Sequence, residues 1–207
     1  MRSALDARAL PGVRRVVRAV RRLGRPAPFV AQSGLQIPVT CTASLLGCER
    51  ARALGIGGGD HLTIVNPFVP AARIDAAVTA AVAEVLSEFR PFAYELTRID
   101  RFPDVLFLAP DPAEPFIAIT EAMTRRFPEH PPYGGVFDTI VPHVSIAFGP
   151  ERPGLAELVE RELPLSGTAE EVWLVAQGDD RAWTVHHRFA LGATSASPPA
   201  HEDGTTV

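Results

Sequence analysis

The chain of 207 residues reads as α+β: two duplicated lobes of antiparallel sheet, with helices on the outer face and a central cleft between the halves. Three observations predict this. Segments of period-two alternation and segments of helical spacing follow one another as strand, strand, helix, two strands, helix, strand, helix, two strands, an order that mixes hairpins with crossover helices. One four-residue pattern (His, apolar, hydroxyl, Ile) occurs twice, as His61-Leu62-Thr63-Ile64 and His143-Val144-Ser145-Ile146, 82 positions apart, so the chain divides into halves that each carry one copy. The length suits one domain or two intimately packed lobes, and a hydrophobic content of 46% with 21% charged residues supplies a real core.

Taken in order, Val13, Val16, Val17, Val20 and Leu23 recur at helical spacing with five arginines on the other side, which predicts a basic helix over residues 12–24, closed by Gly24 and Pro26. Residues 1–28 thus form a basic N-terminal extension: a loosely attached helix, or a contact for RNA or a membrane surface. Leu35, Ile37 and Val39 alternate within an extended run over residues 29–40, the first core strand. A short helix over 41–54 leads to Gly57-Gly58-Gly59. These glycines lack the Gly-Lys-Ser/Thr ending of a nucleotide loop and precede a strand, so they make a tight entry into the His61 strand.

A helix over 71–89 carries an apolar stripe from Ile74 to Leu86 and ends before Pro91. Strands over 92–99 and 105–108 make a hairpin around Arg101-Phe102-Pro103-Asp104. A helix over 114–127 and a long loop with Pro131-Pro132-Tyr133-Gly134-Gly135 lead into the second motif strand, 143–148. A helix over 154–162 precedes strands over 171–177 and 183–191, joined at Gly178-Asp179-Asp180. The body spans 29–192, and 193–207 is a disordered tail rich in Ser, Thr, Pro and Gly.

Charge narrows the partners. All 20 basic residues are Arg; eight of them, with one Asp, fall in residues 1–25, leaving a body of net −11 within a total of −4. An acidic body excludes a broad electrostatic grip on duplex nucleic acid, so phosphate would be held locally. No apolar run spans a membrane and the N-terminus has no apolar signal core. Cys41 and Cys48 read as free thiols in a reducing cytoplasm.

The chemistry rests on strand alternation. In a strand, His61 and Thr63 share one face while Leu62 and Ile64 take the other, and His143 and Ser145 behave likewise. His-x-Ser/Thr alone is weak: with six His and 21 Ser plus Thr, chance supplies about 0.6 occurrences. Two such pairs facing one phosphate can nevertheless divide the work, a neutral imidazole taking a proton and a protonated one giving a proton to the leaving oxygen. The hydroxyls then hold the non-bridging oxygens. No metal or cofactor is asked for.

The paired motifs resemble the 2H phosphoesterase superfamily, in its bacterial 2'-5' RNA ligase and cyclic phosphodiesterase branch. The stretch Arg101-Phe102-Pro103-Asp104-Val105-Leu106-Phe107-Leu108-Ala109-Pro110 is similar to that family's middle hairpin. Pro131-Pro132-Tyr133-Gly134 into Pro142-His143 is similar to its approach to the second motif, and Val172-Trp173-Leu174 with residues 183–191 to its closing hairpin. The resemblance covers about residues 34–192. It implies a bilobal fold with a pseudo-two-fold axis and metal-independent opening of 2',3'-cyclic phosphates, with His61, Thr63, His143 and Ser145 catalytic and which His is the base left open. The substrate it implies is an RNA end or a small cyclic nucleotide, bound by a cytoplasmic monomer. Ser145 stands where Thr is common, and residues 1–28 are an addition the family does not predict. ATP-dependent ligation lacks an opening, because the chain has no Lys to accept a nucleotidyl group.

Phe68, Tyr133 and Phe148 are candidates to stack on a base, and Arg101 to meet phosphate; for each, ordinary packing or solvation competes. His186 and His187 point to opposite strand faces, and His130 and His201 receive no role. The alternatives to the hydrolase are a non-catalytic phosphate- or RNA-binding module in the same cleft, or an enzyme acting on a signalling cyclic oligonucleotide or a nucleotide metabolite.

Overall fold

The computed structural model describes residues 31–150 and 152–193. The expected helix over 12–24, the extension 1–28 and the tail from Thr194 onward lie outside the described residues.

Among the described residues, eight strands form two four-stranded antiparallel sheets. Sheet A contains β1 (Ser33–Pro38), β2 (His61–Val65), β7 (Glu171–Gln177) and β8 (Trp183–Ala190), ordered β2-β1-β7-β8. Sheet B contains β3 (Phe92–Phe102), β4 (Val105–Asp111), β5 (Val144–Phe148) and β6 (Leu165–Ala169), ordered β5-β4-β3-β6. The expected duplication is present, with one departure. The lobes are not the two sequence halves: sheet B is continuous in the chain, whereas sheet A takes strands from both sides of it. The cause is the pairing of β1 with β7, which places Leu35 opposite Leu174.

The helices are α1 (Ala43–Gly47), α2 (Glu49–Ala53), α3 (Ala76–Ser87), α4 (Glu114–Arg126) and α5 (Leu155–Glu160). The helix expected over 41–54 is therefore two, broken where Cys48 turns extended. The helix expected from 71 starts at 76, because the Asp75 carboxylate accepts from the Val78 N–H at 2.9 Å and caps it there. In α4, Pro115 fills a first-turn position where the missing N–H costs nothing. Its Phe116 is fully buried, edge-on to Phe92 at 5.0 Å and Tyr94 at 5.3 Å.

Strand β6 is not foreseen by the sequence pattern. Its residues, Leu-Ser-Gly-Thr-Ala, alternate only weakly, but Gly167 is what lets it pair beside β3, since a Cβ there would meet the Tyr94 ring at 2.6 Å. Alternation elsewhere holds as expected. Leu35, Ile37, Leu62, Ile64, Val172, Leu174 and Phe189 of sheet A join Leu106, Leu108, Val144 and Ile146 of sheet B in one core. Cys41 and Cys48 are free, and burial pushes the Cys41 thiol up. Among the described residues no helix is long and apolar enough to cross a membrane.

Candidate active site

The two motifs lie on matching edges. β2 is the outer strand of sheet A and β5 the outer strand of sheet B, and the two approach each other. The glycine run joins them. The N–H groups of Gly57 and Gly58 donate to the Ile146 carbonyl at 2.9 and 3.3 Å, and Gly59 holds a positive φ of 112°. Gly58 packs so closely on the Ser145 carbonyl that a Cβ would overlap it. On the other side of the run, the Thr42 hydroxyl donates to the Gly59 carbonyl. The entry to the His61 strand is thus also a bridge to the Ser145 strand.

Within β2 the burial alternates as the motif requires: Leu62 and Ile64 are buried at 1% and 2% exposure, while His61 and Thr63 stay partly open. Val144 and Ile146 are fully buried on β5, and Ser145 is partly open. His143 itself immediately precedes β5. Each imidazole is anchored through Nδ1. His61 Nδ1–H donates to the Asp60 carboxylate at 2.8 Å, and His143 Nδ1–H donates to the Val141 carbonyl at 2.7 Å. A carbonyl can only accept, so the His143 proton sits on Nδ1 and a neutral ring offers a bare Nε2.

The surroundings of His143 are apolar. Its ring packs on Phe102 at 4.9 Å and Phe107 at 5.2 Å, and those two rings stack at 4.4 Å. Burial lowers its pKa below 6.5; the Val141 hydrogen bond acts in the opposite sense, and the charge of His61 lowers it further. The Thr63 and Ser145 hydroxyls make no hydrogen bond to the described residues and stand on the same strand faces as their histidines.

The other candidates separate. Phe68 is 3% exposed and packs edge-on to Phe127 at 4.9 Å, in the core. Phe148 is 65% exposed at the end of β5, beside Gly58. Arg101 pairs with Leu106, one residue out of step with the Asp100–Phe107 pair, so it lies on the face opposite Phe107. Tyr133, with a positive φ of 53°, lines a cavity of about 370 Å³ together with Thr63, Thr120, Arg125, Phe137 and Pro142. Burial pushes its phenol up, although the residue as a whole is 40% exposed. The cavity adjoins Thr63 without enclosing either imidazole, so it is a neighbour of the paired histidines and not their seat.

Four contributors are absent from the candidates that sequence reasoning supplies. Asp60 was legible as the residue before His61. Phe107 was legible from alternation in the β4 run. Phe102 and the Val141 carbonyl depend on how the hairpin and loop fold back, and no local pattern announces them.

Known proteins share this fold. A Bacillus licheniformis protein provisionally named a phosphoesterase is 26% identical over 145 residues, which cover 64% of this chain and 80% of that protein. The fold matches the crystal structure of apo LigT from E. coli at a TM-score of 0.54, with 16% identity over 80% of this chain and all of LigT. It matches TT0787 of Thermus thermophilus at 0.53, with 16% identity over 78% of this chain and 98% of that one. The model of the 2'-5' RNA ligase superfamily matches residues 60–181, which include both His motifs, the hairpin that packs on His143 and strand β7. With more than half of its length inside that match, the chain belongs to the 2'-5' RNA ligase superfamily.

Proposed function

We propose that the protein is a phosphoesterase that opens 2',3'-cyclic phosphates, or related 2'-5' phosphodiesters, at RNA ends or on small nucleotides, without a metal or cofactor. The observation that carries this reading is the unlike anchoring of two imidazoles carried at adjoining edges of the two sheets. His143 is half-buried against apolar rings, its pKa is lowered, and its neutral form is bare at Nε2, which suits a base. His61 is more open and has the Asp60 carboxylate to complement a positive ring, which suits an acid.

In the hydrolytic direction, His143 Nε2 takes a proton from water as the water oxygen attacks phosphorus. The bond to the 3'-oxygen breaks, that oxygen receives the proton held on His61 Nε2, and a 2'-phosphate remains. Thr63 and Ser145 donate to the non-bridging oxygens, where charge accumulates. The cavity at Thr63 is the place for a nucleoside, with Tyr133 and Phe137 (5.3 Å apart, edge-on) as its aromatic wall. Crystals of LigT complexed with 3'-AMP, ATP and phosphate accord with a nucleotide or RNA-end substrate.

The deciding experiment is a panel of nucleoside cyclic phosphates incubated in excess EDTA, with products identified by mass. Turnover to 2'-phosphates in wild type, lost in the His61→Ala, His143→Ala double variant, is expected. Undiminished turnover by that variant would sink the mechanism.

A further inference from the structure

The register of sheet A lines up one side chain from every strand. Thr63 on β2 lies opposite Gln36 on β1, Gln36 opposite Trp173 on β7, and Trp173 opposite Arg188 on β8. Directly opposed residues of antiparallel strands share a face. The residues on either side of each, such as Leu62, Ile37, Leu174 and Phe189, are core, so this row lies on the cleft face with His61. At about 4.8 Å per strand, Trp173 stands roughly 10 Å and Arg188 roughly 14 Å from Thr63 across the sheet.

Two features of this row are unexplained by packing. The Trp173 indole Nε1 is shut off from solvent, yet it has no hydrogen-bond partner among the described residues. A buried donor left unpaired is unfavourable, and a native fold keeps one where something else supplies the acceptor. The Arg188 guanidinium lies over the same ring, 4.7 Å from its centroid. Arg188 is otherwise exposed, and a single cation–π contact on an open surface is weak enough to be exchanged for a phosphate. The row is composed of donors: a hydroxyl, an amide, an indole and a guanidinium, with no carboxylate in it. Glu171, the carboxylate on the same face of β7, is about 6.6 Å further along the strand and bounds the site on that side.

We infer that Trp173 and Arg188, with Gln36 between them and Thr63, form a subsite for a second phosphate of the substrate, distinct from the one being cleaved. The inference rests on the phosphoesterase reading and adds to it a preference for substrates with at least two phosphate groups. Arg188 turns from the ring onto the anion, and the indole N–H it uncovers donates to an anionic oxygen. A nucleotide's own 5'-phosphate and a neighbouring internucleotide phosphate present the same chemistry.

Binding to the full chain, measured by calorimetry, tests this without turnover. The ligands are a nucleoside 2'-monophosphate, the corresponding 2',5'-bisphosphate, and a dinucleotide ending in a 2'-phosphate. The wild type is expected to bind at least one of the last two about tenfold more tightly than the first. In Trp173→Phe and in Arg188→Ala that advantage falls toward one, while affinity for the monophosphate stays as it was. Which of the two ligands gains identifies the source of the phosphate. Equal affinities for all three in wild type, or an advantage kept in full by both variants, overturns the subsite. Absence of cyclic-phosphate turnover alongside a clear affinity advantage would instead strike at the proposed reaction and leave the subsite standing. Arg188 is exposed, so its variant guards against an effect of Trp173→Phe on folding.

Discussion

The two lobes present one histidine each at matching edges, His61 in β2 and His143 just before β5, yet they surround it differently. In sheet A the imidazole is open, its partner is an exposed carboxylate, and the cleft face continues as Gln36, Trp173 and Arg188. In sheet B the imidazole is enclosed by Phe102 and Phe107, and its partner is a backbone carbonyl. Duplication supplies two equivalent positions, and the divergence of their neighbours makes them chemically unequal. An acid–base pair needs that inequality, because two identical imidazoles would prefer the same protonation state.

The sharpest way to break the comparison is to remove each ring alone. His61→Ala and His143→Ala should each lower kcat by about 10²–10⁴ on a nucleoside cyclic phosphate. On a phosphodiester with a good leaving group, such as a nitrophenolate, His61→Ala should recover most of its activity and His143→Ala little. Equal recovery by both would erase the assigned asymmetry.

Next in size is Gly58→Ala. The added methyl meets the Ser145 carbonyl, so the edges of the lobes must part. We expect a loss of stability of about 1–3 kcal/mol, read as a fall in Tm, and a larger proportional fall in kcat than in thermal stability. Activity at the wild-type level would show that the bridge does not set the spacing of the motifs.

The pH profile sharpens the contrast further. The His143 pKa is lowered, so the acid limb of kcat/KM should lie below 6.5. Phe107→Gln should relieve desolvation and move that limb up toward 6.5; a limb that stays put would disconnect the aromatic enclosure from the base. The same shift acts on stability. Between the folded pKa and 6.5 the unfolded chain binds more protons than the folded one, so stability is full above 6.5 and is lost as pH falls through that window. Replacing His143 by Asn should flatten that slope in urea titrations. Smallest is Asp60→Asn: an exposed pair contributes about 0–1 kcal/mol, so Tm should hardly move, while kcat should fall about tenfold if the carboxylate supports the acid.

Much of this was legible because strands write a period of two. Leu62, Ile64, Val144 and Ile146 marked the buried backs of both motifs, and turn chemistry at Pro103-Asp104 and Gly178–Asp180 marked the hairpins. The paired motifs themselves were near chance by count and gained meaning from those strands. What stayed hidden depends on long-range register. Nothing local says that Trp173 will stand opposite Gln36, or that Phe102 will fold onto His143. Phe68 shows the reverse case: an aromatic placed near the motif in sequence, whose ring is drawn into the core by Phe127. β6 was hidden because its glycine answers to a tyrosine more than 70 positions earlier.

The split origin of sheet A has a consequence for how the protein comes into being. During synthesis, residues 92–169 can complete sheet B from one continuous stretch of chain, in which β3 and β4 form a hairpin and β6 returns to pair Phe92 with Ala169. β1 and β2 emerge earlier but cannot be finished, because the strand that flanks β1 lies about 140 residues downstream. Pairing across so long a separation is slow, and until it occurs one side of the earliest strand stays unpaired. The motif made first is therefore framed last, and a nascent chain holds a folded lobe without a working cleft until β7 and β8 have left the ribosome.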